Sequence, residues 1–428
     1  MDVIVLGLML LSLTIWLGLL GFWGQFWRTD QQLEVTETQL QSLPAVCAVV
    51  PARNEAELIP TSLRSLLLQD YPGSFNVFLV DDRSTDRTAN FAEGVAHAVG
   101  KSQQLHIISG ASLPPGWSGK LWAVEQGIKS ANLFAPDYFL LTDADIEHDS
   151  DNLRRLVKKA VQEDLDMVSV MVRLRCESFW EKLLIPAFVF FFQKLYPFHW
   201  VNNPNNPTAA AAGGSILIAR EALERIGGIQ VIRQALIDDC ALAQAVKKSR
   251  GALSRLAVSV AEREQGENSS PLHPSPCPSA SSQYPIPNQG RIWLGLSTLT
   301  RSLRPYDSLA TIWDMVARTA YTQLNYSPLL LLGTLVGMPL IYLVPPVGVI
   351  LGAVWSNWAI ALTGLLGWLL MSFAYYPTIR FYKCSPWLVF SLPAIAFLYT
   401  LMTLDSALRH WQGRGGAWKG RVYSVKSK

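Results

Sequence analysis

Two long stretches without a charged residue, one near each end of the chain, limit most strongly what this sequence can fold into. The first runs from Val3 to Trp27 and the second from Ser327 to Ile379. Because a helix rises about 1.5 Å per residue, each stretch is longer than the roughly 30 Å core of a bilayer. Half of the residues are hydrophobic and only 16% are charged, so part of the chain is expected to face lipid.

These stretches predict membrane helices on both sides of a central domain. Residues 1–28 are predicted to be an uncleaved anchor, because the basic n-region and small-residue cleavage site of a signal peptide are missing. Residues 327–405 are predicted to hold the C-terminal spans, with a turn near Pro345-Pro346 or Ser356-Asn357 and a last candidate span from Ser385 to Leu404. With three such spans, the basic tail 406–428 would lie outside, against the positive-inside tendency. A re-entrant or interfacial segment would remove this conflict.

The charge and the cysteines argue against other classes of protein. The net charge is +3, and the central region has no Lys/Arg block interleaved with aromatic residues, so nucleic acid is not an expected partner. The five cysteines fit no closed disulfide set and no zinc spacing, and they are predicted to be ordinary thiols in a reducing compartment. They are Cys47, Cys176, Cys240, Cys277 and Cys384.

The central region alternates strand-like and helix-like patterns, which predicts an α/β domain with a mostly parallel sheet. The predicted strands are Ala45–Val50, Asn76–Val80, Leu105–Ile108, Tyr138–Thr142 and Ala212–Ala219, and the first two helices are Glu57–Gln69 and Thr88–His97. The aromatic segment 179–200 is interpreted as a helix in the membrane interface, with a buried core helix as the alternative. Residues 266–290 are rich in Pro, Ser and Asn and are predicted to be a disordered insertion.

Pairs of acids follow or begin predicted elements at three places. Asp81 and Asp82 follow a strand, at the edge of the sheet where ligands of open α/β sheets bind. Asp143 and Asp145 follow another strand and offer two oxygen ligands to Mg²⁺ or Mn²⁺. A polar turn and a simple spacing coincidence are the alternatives for these pairs. The same D-x-D spacing at residues 149–151 and 164–166 lies at a helix start and a helix end, so position favours the first.

The remaining candidates lie at helix starts and at a glycine pair. Asp238 and Asp239 open a predicted helix, where acids either complement the helix dipole or act as a general base. Lys120 lies near another helix start, from which a lysine reaches a diphosphate, although a solvated surface lysine is the alternative. The pair Gly213-Gly214 borders the strand that ends at Ala219.

Taken in order, these motifs resemble family-2 glycosyltransferases of the GT-A fold, a Rossmann-like α/β fold. They are Val50-Pro51-Ala52-Arg53-Asn54-Glu55, Gln69-Asp70-Tyr71-Pro72, Asp81-Asp82, Gly119-Lys120, Asp143-Ala144-Asp145, Gly213-Gly214 and Asp238-Asp239. The resemblance covers residues 44–326. With the Arg301–Tyr306 and Ala317–Leu324 segments before the C-terminal spans, the chain looks closest to the hopene-associated glycosyltransferases, bacterial relatives of ceramide glucosyltransferases.

The resemblance implies an inverting transfer of a sugar from a nucleoside diphosphate, with a divalent metal. It implies metal binding by Asp143 and Asp145, and a base at Asp239 with Asp238 beside it. It also implies nucleotide binding by Pro51, Arg53, Glu55, Asp81, Asp82, Lys120 and Asp143. Gly213, Gly214, Arg318 and Gln323 are expected on the acceptor or diphosphate side. The Gln-x-x-Arg-Trp motif of processive synthases does not occur.

The sequence therefore predicts a multi-pass protein of the bacterial inner membrane with its catalytic domain in the cytosol. The expected partners are a nucleotide sugar, UDP-linked by preference, a lipid acceptor such as a hopanoid, and Mg²⁺ or Mn²⁺. Two alternatives stay open at this point. One is a synthase of a polysaccharide or polyprenyl-linked glycan, and the other is a membrane scaffold that retains the fold without turnover.

Overall fold

The computed structural model describes residues 2–33, 43–249 and 290–414, with the backbone of residues 417–418 and 421–422. In this part of the chain, eight strands form one sheet in the order β3-β2-β1-β4-β7-β6-β8-β5. The strands are β1 (Val46–Ala52), β2 (Phe75–Asp81), β3 (Leu105–Ser109), β4 (Tyr138–Thr142), β5 (Ile146–Glu147), β6 (Met167–Arg173), β7 (Ser215–Ala219) and β8 (Ile292–Ser302). A separate short pair consists of β9 (Ala417–Trp418) and β10 (Arg421–Val422).

One half of the sheet is parallel and the other is mixed. β1 pairs in parallel with β2 and β4, and β2 pairs in parallel with β3. β7 runs antiparallel to β4 and β6, β8 is parallel to β6, and β5 is antiparallel to β8. The predicted α/β domain with a mostly parallel sheet is confirmed. The sequence patterns predict β1 to β4 and β7, but they do not predict β5, β6 or β8.

Helices cover both faces of the sheet, because alternate residues of each strand face two different cores. In β1, Cys47 and Val49 face one cluster of buried residues, while Ala48 and Val50 face the other. The first core holds α4 (Gly119–Ala131), α8 (Arg220–Arg225) and α9 (238–249), and the second holds α2 (Ile59–Leu67), α3 (Thr88–Ala98) and α5 (Asn152–Gln162). Gly127 brings α4 close to the sheet, since a Cβ there would lie only 2.4 Å from Cγ1 of Val49.

The aromatic segment forms α6 (Phe179–Leu195) and α7 (Phe198–Asn202). Leu184 and Phe190 of α6 are fully buried in an apolar cluster that also contains residues of the C-terminal helices. Only the ends of α6 are open, with Phe179 69% and Leu195 56% exposed. The middle of the segment therefore matches the buried-helix alternative, and its place relative to a bilayer stays a prediction.

Four helical segments of the described residues are long and apolar enough to cross a membrane. They are α1 (Asp2–Phe22), Pro328–Val354, α14 (Trp358–Phe381) and Pro386–Trp411. The second contains α12 (Pro328–Met338), a π-helical turn and α13 (Val344–Val354), and the fourth contains a 3₁₀ helix (Pro386–Ser391) and α15 (Leu392–Trp411). Two shorter helices, α10 (Leu309–Ala317) and α11 (Ala320–Gln323), precede the second of these segments.

The turn between the second and third segments lies at Ser356-Asn357, where Ser356 has a φ of 55°. The other predicted position, Pro345-Pro346, is wrong, because both prolines lie within the first turn of α13. Proline is tolerated there, since the first N–H groups of a helix have no partner within it. The predicted disordered insertion 266–290 lies outside the described residues except for Gly290.

A buried lysine fixes the far end of α9. Lys247 is 2% exposed, and its Nζ donates to four backbone carbonyl oxygens. These belong to Trp200 (3.4 Å), Val201 (2.7 Å), Asn203 (3.1 Å) and Thr208 (2.7 Å). Because buried carbonyl groups need partners, this ammonium group ties α9 to the end of α7 and to the loop that follows it.

Candidate functional site

Lys120 lies at the centre of the site, between two of the acidic pairs. Ser118 caps α4 by accepting a hydrogen bond from the Leu121 N–H at 3.3 Å, which places Lys120 in the first turn. Its Nζ is 2.9 Å from Oδ1 of Asp143 and 3.1 Å from Oδ2 of Asp238. Burial lowers the pKa of Lys120, but the two carboxylates outweigh this effect and raise the pKa above its usual value.

Asp239 faces the same cavity and is held by two backbone N–H groups. Its Oδ2 accepts from Gly213 at 2.9 Å, and its Oδ1 accepts from its neighbour Cys240 at 2.7 Å. Burial and the charge of Asp238 raise the pKa of Asp239 to about 6, although Lys120 and the two N–H groups act in the opposite direction. A carboxyl with this pKa is ionised at neutral pH and is basic enough to accept a proton from an alcohol in a transition state.

The motifs predict that all three acidic pairs converge on one crevice, and the fold brings together one acid of the second pair and both acids of the third. Asp143, Asp238, Asp239 and Lys120 line a small cavity of about 30 Å³, together with residues of β1, β4 and α9. The cavity also has Pro51 and Gly213 in its wall, both of which are predicted site residues. Burial and the nearby Asp145 raise the pKa of Asp143, with Lys120 opposing the shift.

Asp145 is paired with a second cation, Arg304, which sequence reasoning does not place in the site. Arg304 Nε donates to Asp145 Oδ2 at 2.7 Å, and its Nη2 donates to Glu55 Oε1 at 2.8 Å. Asp145 and Glu55 are 8% and 7% exposed. Glu55 therefore contacts Arg304 in this structure. Its predicted contact with a nucleotide would have to be made from behind this ion pair.

The first acidic pair lies at the end of β2, which is the strand next to β1 in the sheet. Asp81 is half-buried, and its Oδ1 accepts from the Ser84 N–H at 3.1 Å. Asp82 is 1% exposed, and Arg53 lies beside it, donating to its carbonyl oxygen at 2.7 Å. Of the two acids, Asp81 has the more accessible carboxylate. Neither belongs to the wall of the central cavity, and Asp145 does not belong to it either, so the cavity unites Asp143 with the third pair, and the first pair lies at the end of a neighbouring strand.

A hydrogen-bonded chain behind the cavity connects β4 to β7. The Thr142 hydroxyl donates to the Gly214 carbonyl oxygen at 2.7 Å, so it accepts from Nε2–H of His148 at 3.0 Å. The Nδ1 atom of His148 then accepts from Asn152 at 2.9 Å, and Asn152 accepts from Thr300 at 3.0 Å. Burial lowers the pKa of His148 to about 4, so this histidine is neutral.

The other predicted residues lie on the side of the site that faces the C-terminal helices. Gln323 accepts a hydrogen bond from the Tyr196 hydroxyl at 2.6 Å. Burial, with smaller contributions from the nearby Cys240 and Asp239, raises the pKa of Tyr196. Arg318 is exposed at the end of α10. Tyr196 belongs to the aromatic segment, but no local pattern distinguishes it from the neighbouring aromatic residues.

The donor set fits a metal that is bound together with a diphosphate. No group of three or more His, Cys, Asp or Glu side chains suited to a metal ion occurs among the described residues. Asp143 and Asp145 supply two carboxylates, and Mg²⁺ commonly uses one or two carboxylates and completes its shell with phosphate oxygens and waters. In this structure, Lys120 pairs with Asp143 and Arg304 pairs with Asp145. The two carboxylates therefore already balance positive charge in this corner of the site.

Comparisons with known proteins agree with this geometry. Residues 47–227 match the family model described as glycosyl transferase family 2. An uncharacterized protein of Methanocaldococcus jannaschii is 33% identical over 124 residues, which are 28% of this chain and 44% of that protein. The beta-monoglucosyldiacylglycerol synthase of Nostoc sp. is 30% identical over 144 residues, or 33% of this chain and 29% of the synthase. That of Synechocystis sp. is 28% identical over 205 residues, or 46% and 39%.

The chain thus spans less than half the length of these curated relatives. Among solved structures, a mannosyltransferase from Pyrobaculum calidifontis in complex with GDP-Man and Mn²⁺ is 16% identical, with a TM-score of 0.48 and coverage of 95% of this chain and 99% of that one. Glucosyl-3-phosphoglycerate synthase of Mycobacterium tuberculosis with Mg²⁺ and UDP is 15% identical, with a TM-score of 0.36 and coverage of 69% and 86%.

The α/β fold, the acidic cavity and the family match together support a glycosyltransferase. The match to glycosyl transferase family 2 covers residues 47–227, which are less than half of the chain. It supports the family part of the resemblance. The residues of the site that lie beyond this segment, Asp238, Asp239 and Arg304 among them, are assigned by geometry alone.

Proposed function

We propose that the protein transfers a sugar from a nucleoside diphosphate, with UDP as the preferred nucleotide, to a hydroxyl group of a lipid. The reaction inverts the configuration at the anomeric carbon and depends on Mg²⁺ or Mn²⁺. One observation carries the proposal: Asp239 faces the same cavity as Asp143, with Lys120 between Asp143 and Asp238. This arrangement supports a base and a diphosphate site on two sides of a space that a sugar ring would enter.

In the proposed reaction, the acceptor oxygen attacks the anomeric carbon while the bond from that carbon to the diphosphate oxygen breaks. Asp239 takes the proton of the hydroxyl group, and its two N–H partners keep the carboxylate pointed at the cavity. A single displacement of this kind inverts the anomeric configuration. Asp238 keeps Lys120 near the leaving group and contributes to the raised pKa of Asp239.

On the donor side, Asp143 and Asp145 would hold the metal ion, which neutralises charge on the leaving diphosphate. Lys120 is placed to contact the same phosphate oxygens. Asp81 is the accessible acid for the ribose or the base of the nucleotide. Pro51 borders the cavity, whereas Arg53, Glu55 and Asp82 support this edge through the ion pairs described above.

The long apolar helices and the relatives support a lipid acceptor. Two of the curated relatives reported above are named beta-monoglucosyldiacylglycerol synthases, which favours a glycerolipid, while the sequence motifs favour a hopanoid, as in the relatives of ceramide glucosyltransferases. Both acceptors present a hydroxyl group at the headgroup level of a bilayer. Gly213, Gly214, Arg318 and Gln323 lie on this acceptor or diphosphate side. We place the catalytic domain in the cytosol at a bacterial inner membrane.

Donor and metal are tested together by a binding screen of nucleotide sugars with and without EDTA. We expect one UDP-sugar to bind in the presence of Mg²⁺ or Mn²⁺ and to lose most of its affinity with EDTA. Binding that EDTA leaves unchanged would contradict the metal assignment. Transfer to diacylglycerol or to a hopanoid in mixed micelles then identifies the acceptor, and loss of a cellular polymer in a deletion strain would favour the synthase alternative.

A scaffold without turnover is the remaining alternative. The acids, the lysine and the raised pKa of Asp239 support an enzyme, because such an arrangement is costly to keep in a merely structural role. Purified protein that binds a nucleotide sugar but neither transfers nor hydrolyses it, with every acceptor tested, would support the scaffold.

A further inference from the structure

The last apolar segment, residues 386–411, resembles the other candidate spans in length and composition. Contacts at its two ends differ from those expected of a span, because both ends lie beside the catalytic domain. We propose that this segment is a re-entrant hairpin, which enters the domain-side leaflet and returns to the domain. The chain would then cross the membrane three times, through α1, α12–α13 and α14. This inference does not depend on the reaction that the domain catalyses.

The segment begins at the domain. Arg173, the last residue of β6, donates from Nη2 to the Tyr382 carbonyl oxygen at 3.0 Å. The thiols of Cys176 and Cys384 are 3.6 Å apart, and Tyr382 is buried in the core that lines one face of the sheet. The turn between α14 and the 3₁₀ helix is therefore attached to the sheet.

The 3₁₀ helix then descends along α14. The ring centroid of Phe390 lies 6.1 Å from that of Trp368. Trp368 lies more than three helical turns before the end of α14 at Phe381, or roughly 20 Å along that helix. Trp387, on the way down, is 78% exposed, as expected for a side chain among acyl chains.

From this depth, α15 returns towards the domain. The Tyr399 hydroxyl donates to the Leu184 carbonyl oxygen of α6 at 2.9 Å. Further along, Trp313 of α10 donates to Asp405 at 2.7 Å, and Arg409 donates to Asp314 at 2.7 Å. A crossing helix would carry this charged end to the opposite surface, away from α10.

The end of α15 lies level with the site. Ser406 accepts from the Tyr321 N–H at 3.0 Å, and the ring of Trp411 packs against Tyr321 at 5.9 Å. Tyr321 belongs to α11, whose Gln323 contacts Tyr196 beside the base. Residue 411 is thus on the domain side, as residue 384 is.

The distribution of charge supports the same topology. The membrane ends near the domain carry Arg28, Arg380, Lys383 and Arg409, and the basic tail follows. At the opposite ends, Asn357 donates to Asp2 at 3.3 Å, and the turn 355–357 contains no lysine or arginine. Three crossings therefore keep every basic end on one side, which satisfies the positive-inside tendency.

The exposed face of α15 fits the acyl chains of one leaflet. Its exposed apolar residues follow helical spacing and form one stripe: Ala394, Phe397, Leu408 and Trp411. The opposite face packs on α6, α10 and α11. The hairpin therefore presents a lipid-facing surface next to the pair Tyr196 and Gln323. A lipid hydroxyl would approach Asp239 from this side.

Four single substitutions to cysteine in the full chain test the topology: Lys101→Cys in the domain, Ser356→Cys, Lys383→Cys and Gln412→Cys. All four positions are exposed. Cells are treated with a membrane-impermeant maleimide before or after permeabilisation, and peptide mass spectrometry identifies which cysteine reacts. We expect Lys383→Cys and Gln412→Cys to behave like Lys101→Cys, and Ser356→Cys to react from the opposite side.

Labelling of Gln412→Cys together with Ser356→Cys would show that α15 crosses and would overturn the proposal. Labelling of Lys383→Cys together with Ser356→Cys would overturn it as well, because α14 would then not return to the domain side. A variant that fails to accumulate is replaced by a split-GFP strand after Lys428. Fluorescence with the partner fragment in the domain's compartment supports the hairpin, and its absence there with signal from the other side contradicts it.

Discussion

The two halves of the site are built in different ways. On the proposed donor half, the acids directly follow neighbouring parallel strands, and residues 51–145 supply nearly all of the side chains. On the proposed acceptor half, Asp239, Tyr196 and Gln323 come from three separate elements and meet only in the folded chain. Lys120 joins the halves by contacting Asp143 and Asp238, whereas Arg304 links Asp145 and Glu55 of the donor half to a distant part of the chain. The comparison shows that local motifs define the donor half and that long-range packing defines the acceptor half.

The substitution with the largest expected effect should slow the transfer step while nucleotide binding is retained. Asp239→Asn should lower the rate of transfer by about 10³-fold, because a general base contributes roughly 10²–10⁴-fold, while nucleotide binding on the donor half is retained. Transfer assays and titration of the nucleotide measure the two properties. Asp164→Asn, an exposed acid remote from the cavity, is the matched control. An unchanged transfer rate would remove Asp239 from the mechanism.

The same variant should also be more heat-stable at neutral pH. The folded-state pKa of Asp239 is raised to about 6 from an ordinary value of 3.8, so its favourable contribution is complete below about pH 4 and is lost as the pH rises through 6. Asparagine avoids the cost of a buried charge. We therefore expect a higher melting temperature for Asp239→Asn at pH 7.5 and little difference at pH 4.

Breaking the link through Arg304 should destabilise the protein. Arg304→Gln removes the guanidinium group that pairs with Asp145 and Glu55, both nearly buried, and removing one partner of such a pair costs about 3 kcal/mol. Arg301→Gln is the matched control, because Arg301 is 60% exposed and pairs with Glu147, so its loss should cost about 1 kcal/mol or less. Thermal unfolding in detergent compares them. Equal shifts for both variants would argue against a special role for Arg304.

Removal of the neutral histidine behind the cavity should have a smaller effect. His148→Phe removes the ring nitrogens that contact Thr142 and Asn152, at a cost of about 2 kcal/mol. Adding Thr142→Val should then cost less stability than Thr142→Val alone, because the hydrogen bond between Thr142 and His148 is already lost and only the bond to Gly214 remains to be broken. The exposed His97→Phe serves as the control. If the costs of the two single variants simply add in the double variant, the hydrogen-bonded chain is not a unit.

The smallest effect is expected from pH alone. If Asp239 is the base, kcat/KM rises about tenfold per pH unit below pH 6 and reaches a plateau above it. Donor binding, measured over the same range, should follow a different curve, because Asp143 and Lys120 govern it. Parallel curves for binding and transfer would mean that one group controls both halves.

The sequence predicts the acids at the ends of strands because this signal is local. An apolar run followed by acids places Asp81 and Asp143 at strand ends without any knowledge of tertiary structure. The long spacing to Arg304, the two-residue strand β5 and the strands β6 and β8, which no acidic pair follows, carry no comparable signal. Likewise, Cys176 and Cys384 looked like isolated thiols, and only the fold places their sulfur atoms 3.6 Å apart. Hydropathy alone also cannot distinguish a helix that crosses from one that turns back.

The lysine at the end of α9 has a consequence for protein engineering. Lys247 holds the helix whose first residues carry the proposed base, at a point about two turns away from Asp239. An exchange of this lysine should therefore displace the carboxylate of Asp239, so a substitution far from the cavity would change the geometry inside it.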